Sequence, residues 1–98
     1  MTLHTVNKTP GESSALKDCL ASLSDGDALL LIENGAYAAM PGYAIHFTCL
    51  PGSIKCYVLL ADAQARGLQQ DQNPDFQSID YDDFVALSCQ HDKVVSWF

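Results

Sequence analysis

Seven side chains in this sequence could carry covalent or acid–base chemistry: Cys19, Cys49, Cys56 and Cys89, with His4, His46 and His91. A thiolate can accept a sulfane sulfur, attack a disulfide or bind a soft metal, and an imidazole nearby can take its proton. Spacing narrows these options. No two cysteines form a C-x-x-C pair and no Cys/His spacing matches a zinc site, so no metal is assigned. No nucleophile–base pair is visible along the chain, and each histidine reads as a strand or surface residue. Thr9-Pro10-Gly11-Glu12-Ser13 has a single glycine and no following Gly-Lys-Ser. It meets neither the P-loop nor the dinucleotide pattern, and no cofactor is expected.

Among the thiols, Cys56 falls mid-strand and reads as buried and inert, while Cys49 and Cys89 fall near helix ends and read as packing residues. Cys19 keeps two readings open. It shares a helical face with Leu16, Leu20 and Leu23, which favours the core. It also lies about one and a half turns from a helix start, where the helix dipole lowers a thiol pKa.

These residues need a scaffold, and the scaffold is organised by Ala28-Leu29-Leu30-Leu31-Ile32, set between Asp25-Gly26-Asp27 and Glu33-Asn34-Gly35. Five consecutive apolar residues between turn formers predict a strand covered on both faces, in the middle of a mainly parallel sheet. Leu3–Val6 predicts a first strand. A helix starting near Ser13 or Ser14 follows, with Ala15, Leu16, Cys19, Leu20 and Leu23 on one side. Ala36–Met40 reads as a helical turn and Tyr43–Leu50 as a short apolar helix, separated by Pro41. Ile54–Leu60 is β-branched and aromatic enough for the sheet interior. Ala61–Arg66 reads as a short helix closed by Gly67 in the left-handed conformation. A polar loop, 69–74, leads to a short strand at Ser78–Tyr81. Asp80 or Asp82 then caps a helix through His91, with Phe84, Leu87, Ser88 and His91 on one side. Val94–Phe98 reads as an edge strand anchored by Trp97. The expected fold is α/β, a single domain over 1–98 with a mainly parallel sheet of about four to five strands flanked by helices. Ligand chemistry in such sheets collects at the carboxyl ends of the strands, here 7–14, 33–37 and 60–62.

Composition limits the partners. Five Lys plus Arg against twelve Asp plus Glu give a net charge of −7 over 98 residues. Phosphate backbones are held by Lys and Arg that displace counterions, so direct nucleic-acid binding is not expected. The 48% hydrophobic content is high for a small domain, in which surface per residue is large, and fits either cover by a partner chain or a well-filled sheet core. Residues 1–8 show no signal core and no window is long enough to span a bilayer. The expectation is a soluble cytoplasmic protein, no membrane partner, and reduced cysteines.

Leu3-His4-Thr5-Val6-Asn7-Lys8-Thr9-Pro10 resembles the opening of the TusB/DsrH family of sulfur-relay subunits. So do the stretch from Gly26 to Ala39, Leu60-Ala61-Asp62-Ala63-Gln64-Ala65-Arg66-Gly67-Leu68, Ile79–Val85, and His91-Asp92-Lys93-Val94-Val95-Ser96-Trp97. The similarity runs in order along nearly the whole chain and is weakest from Met40 to Pro51. The resemblance implies a DsrE/F/H-like fold and a heterohexamer of two copies each of three homologous chains. It implies a small sulfur-carrier protein as donor of persulfide sulfur. The destination is 2-thiouridine at the tRNA wobble position in one branch and dissimilatory sulfur oxidation in the other. The principal sulfur-accepting cysteine belongs to another subunit; some members have a cysteine where Cys19 stands, others lack it and still assemble. Cys19 is therefore the candidate sulfur carrier of this chain, in a transfer subunit without independent catalytic turnover, and a purely structural subunit with no sulfur-carrying thiol is the competing reading.

Overall fold

The computed structural model describes residues 1–48, 50–68 and 73–98. Five strands, β1 (Thr2–Val6), β2 (Ala28–Leu31), β3 (Lys55–Leu59), β4 (Phe76–Ile79) and β5 (Lys93–Trp97), form one sheet in the order β4-β3-β2-β1-β5. Every pairing is parallel. The apolar run thus sits at the centre of the sheet, and Leu29, Leu30 and Leu31 are completely buried. The expected α/β architecture is the observed one.

Three connections step the same way across the sheet, from β1 to β2, β3 and β4. Right-handed crossovers in one direction place their helices on one face. That face carries α1 (Ala15–Ala21), two 3-10 helices at Glu33–Ala39 and Pro41–Phe47, and α2 (Leu60–Ala65). Its core joins Val6, Leu16, Cys19, Leu29, Leu31 and Val58. The fourth crossover travels back past β3, β2 and β1, so its helix, α3 (Tyr81–Gln90), lies on the opposite face. There Phe84 and Leu87 pack against Leu3, Leu30, Leu59 and Ile79.

Local chemistry explains the boundaries. Asp80 caps α3: its side chain accepts from the Asp83 amide at 2.8 Å, and the Asp83 carboxylate accepts in turn from the Asp80 amide, forming a capping box. Gly67 ends the α2 segment at φ 69°, a conformation that costs glycine little. Pro41 opens the second 3-10 helix, where a missing N–H is harmless. That segment ends at Phe47 and leaves Ile45 76% exposed, so it is a tightly wound surface segment rather than the short apolar helix expected over Tyr43–Leu50. Strand β4 lies two residues earlier than its sequence pattern suggested, because Tyr81 is already helical. The loop expected over 69–74 and Cys49 fall largely or wholly outside the described residues.

Candidate functional site

At the carboxyl ends of β1 and β2 the chain is tightly folded back on itself. The Val6 carbonyl accepts from the Ile32 amide at 3.0 Å, and a Cβ on Gly35 would collide with that same carbonyl. Only glycine lets the segment after β2 approach this closely. Glu33 takes a left-handed φ of 50° and is held there by its amide, which donates to the Asp62 carboxylate at 2.6 Å. Arg66 completes the clamp. Its Nε and one terminal nitrogen donate to Asn34 Oδ1 at 3.1 and 2.9 Å, and its guanidinium lies 6.0 Å from the centre of the Tyr37 ring. Beside this clamp a cleft of about 390 Å³ opens between the loop after β1 and the second 3-10 helix, with Lys17 and His46 on its walls.

No cysteine is among the described residues that line this cleft. Cys19 lies in the second half of α1, which runs antiparallel to the strands, so its thiol sits towards their amino ends. It is fully buried. Burial, then the carboxylate of Asp27 and the thiol of Cys56, push its pKa up to about 12. The acidifying influence expected near a helix start is outweighed, and at pH 7 the thiolate amounts to on the order of one molecule in 10⁵.

Two other thiols differ from their sequence reading. Cys56 is only partly buried, next to Asp75 and Phe76 at the wall of a second cavity. It lies near the start of β3, where cover from the helical layer runs out. Burial and Asp75 raise its pKa to about 11. Cys89 is exposed on α3, since a single helix over five strands buries only one narrow stripe of its own surface. Neither is fully packed.

The histidines separate as well. His46 is exposed and stacks on Tyr43. His91 Nδ1 donates to the Leu87 carbonyl at 2.7 Å. His4 is 5% exposed and bonded on both ring nitrogens. The indole N–H of Trp97, which can only donate, reaches His4 Nδ1 at 3.0 Å. Nδ1 is therefore the acceptor, and Nε2 carries the proton and donates to Asp27 Oδ2 at 3.0 Å. Asp27, 7% exposed, also accepts from the Thr2 amide at 2.9 Å and the Ser24 amide at 3.1 Å. Burial pushes its carboxyl pKa up, but the bonds from Thr2, His4 and Ser24 together outweigh this and hold it below the ordinary 3.8. The sequence reading missed this network. It took Asp27 for a turn residue and did not join His4 to Trp97. A signal was available: a carboxylate directly before a fully apolar strand is at the sheet's edge of burial and must find donors.

Comparisons with known proteins fit this geometry. The model of the family described as "DsrH like protein" matches residues 8–94. Protein TusB of Pectobacterium parmentieri is 35% identical over 95 residues, spanning 97% of this chain and 99% of that protein. Protein TusB of Escherichia coli O81 (strain ED1a) is 39% identical over 97 residues, with the same coverage. The crystal structure of the ychN protein from E. coli superposes with a TM-score of 0.81 at 14% identity, covering 97% of each chain. The solution structure of protein Tm0979 from Thermotoga maritima gives 0.68 at 24%, covering 93% of this chain and 94% of that one. These last two speak to the fold.

Proposed function

This chain belongs to the DsrH family, and from that premise we propose that it is a subunit of a sulfur-relay assembly that passes persulfide sulfur towards the wobble uridine of tRNA. Likeness to Protein TusB along 97% of the chain carries this reading and favours the tRNA branch over sulfur oxidation. Its partners are homologous relay subunits and a small sulfur-carrier donor. RNA is met by another chain, as a net charge of −7 supports.

Within that assembly the chain holds and shapes its neighbours, and a partner's cysteine carries the sulfur. A relay thiol must be ionised often and reachable by a protein donor. Cys19 is neither in the folded chain, being fully buried with a pKa near 12. Sulfur transfer through Cys19 would require α1 to open locally.

The test is co-expression with the neighbouring relay subunits, exposure to a persulfide donor, and intact mass of every chain, alongside 2-thiouridine analysis of cellular tRNA. We expect deletion of this chain to remove 2-thiouridine and Cys19→Ala to restore it, with added sulfur found only on a partner. Sulfur on Cys19, together with failure of Cys19→Ala, would return the carrier role to this residue. Unchanged 2-thiouridine after deletion would refute the relay reading.

A further inference from the structure

Strand β5 is the last strand of the sheet on its side, and no described strand lies beyond it. Trp97 accepts on its carbonyl from the amide of Asn7, the residue that follows β1. Both backbone groups of a strand residue point to the same side, and the sides alternate. Lys93, Val95 and Trp97 therefore serve β1, while Val94 and Ser96 present their N–H and C=O groups to the open side. No proline or bulge interrupts this edge, and the one charged residue on it, Lys93, stands at its start and leaves Val94 to Trp97 without a charge.

The same strand borders an uncovered apolar strip. Asp83, Ala86, Leu87 and Gln90 of α3 line a cavity with Tyr57 and Gln77, on the β3/β4 side. Helical spacing then turns Tyr81, Val85 and Cys89 to the opposite flank, towards β1 and β5. Tyr81 is 59% and Val85 64% exposed. Facing them from β5 is Val94, 47% exposed, which pairs with Leu3 and so points to the α3 face. Phe98, 80% exposed, follows the strand.

Charge decides what fits. Asp80 and Asp82 stand at one end of this strip, Asp92 at the other is paired with the N-terminal ammonium at 2.8 Å, and Lys93, the one cation between residues 80 and 98, alternates with Val94 and so turns to the other face of the sheet. A second copy would bring the same acidic set into contact with itself. We propose that the free edge of β5 and the strip between it and α3 take up an extended strand from a different polypeptide, with alternating apolar side chains flanked by Lys or Arg. The strand adds a sixth row to the sheet, its backbone bonding to Val94 and Ser96 and its apolar side covering Val94 and Val85. This rests on the assembly reading above and names the surface by which the chain joins it.

Amide hydrogen exchange of Val94 and Ser96 tests it, in the chain alone and in the complex with its co-expressed relay partners. We expect both amides to exchange at least tenfold more slowly in the complex. Val94→Pro removes one outward N–H without touching a bond to β1, and should weaken assembly at least tenfold while far-UV circular dichroism stays that of the parent. Asp82→Lys, at an exposed position, should weaken it several-fold. A complex that forms with Val94 and Ser96 still exchanging freely overturns this proposal and leaves the relay reading standing; absence of any complex removes both. Protection of the two amides in the chain alone, rising with concentration, would make a second copy the occupant and refute the cationic partner.

Discussion

Replacing Asp27 by asparagine keeps size and shape but gives the site a donor where only acceptors fit. Turned one way, the new NH2 group faces the N–H of His4 and that of Ser24. Turned the other way, it faces the Thr2 amide alone. The second arrangement is cheaper, yet it leaves one backbone donor unpaired, a cost of about 1–3 kcal/mol. The two surviving bonds also fall from charge-assisted to neutral strength, losing roughly 1 kcal/mol each. Asp27→Asn should therefore cost about 3–5 kcal/mol. For a domain of this size that corresponds to a fall in Tm of about 12 °C or more. The pH dependence carries the same signature. Because the folded carboxyl pKa lies below its ordinary 3.8, its contribution is fully present above that value and is lost as pH falls through the folded pKa. The parent should lose stability on acidification below about pH 4, and the variant should lack this component. Urea unfolding followed by Trp97 fluorescence, repeated from pH 7 to 3, measures both. A loss below about 1 kcal/mol at pH 7, or parallel acid profiles, would refute the assignment.

Three further outcomes follow from the same geometry. Trp97→Phe retains the ring but removes the N–H from His4 Nδ1, and should cost about 1–2 kcal/mol in urea unfolding; a neutral result would mean that the indole bond adds nothing. Gly35→Ala drives a Cβ into the Val6 carbonyl and should cost about 3 kcal/mol or prevent folding, read by thermal unfolding of the purified variant. Native iodoacetamide labelling resolved by peptide mass should reach Cys89 first, Cys56 slowly and Cys19 only on unfolding; early labelling of Cys19 would show that α1 opens readily.

The sheet was legible in the sequence because its central strand has no polar residue to hide. Leu29 to Leu31 could lie nowhere but between two layers, and the helix signals around Asp80 and Gly67 are short-range chemistry that acts within one turn. The site was less legible because it is made at long range. Asp27 reads as a turn former until Thr2, His4 and Ser24 surround it. Cys56 and Cys89 looked packed because apolar neighbours along a chain do not reveal how far a helical layer extends over a sheet. Cys19 was placed correctly on the apolar face of its helix. What spacing could not supply was the carboxylate brought beside it by a different loop, which helps to set the state of its thiol.

The position of β1 has a consequence for the order in which the protein assembles. It is bonded on one side to β2, where Thr2 meets Asp27 across 25 residues, and on the other to β5, where Thr5 meets Ser96 across 91. Closing the longer loop costs about 1 kcal/mol more chain entropy, and its reward arrives only when β5 docks. Folding should therefore commit through β1, β2 and β3, with β5 added after the barrier. Substitutions on β5 such as Trp97→Phe should mainly accelerate unfolding, whereas truncations in β2 should slow folding, in stopped-flow measurements across a urea series. The strand that is last to join is then also the easiest to lose, and the interval between its docking and its loss is the protein's kinetic lifetime as a folded chain.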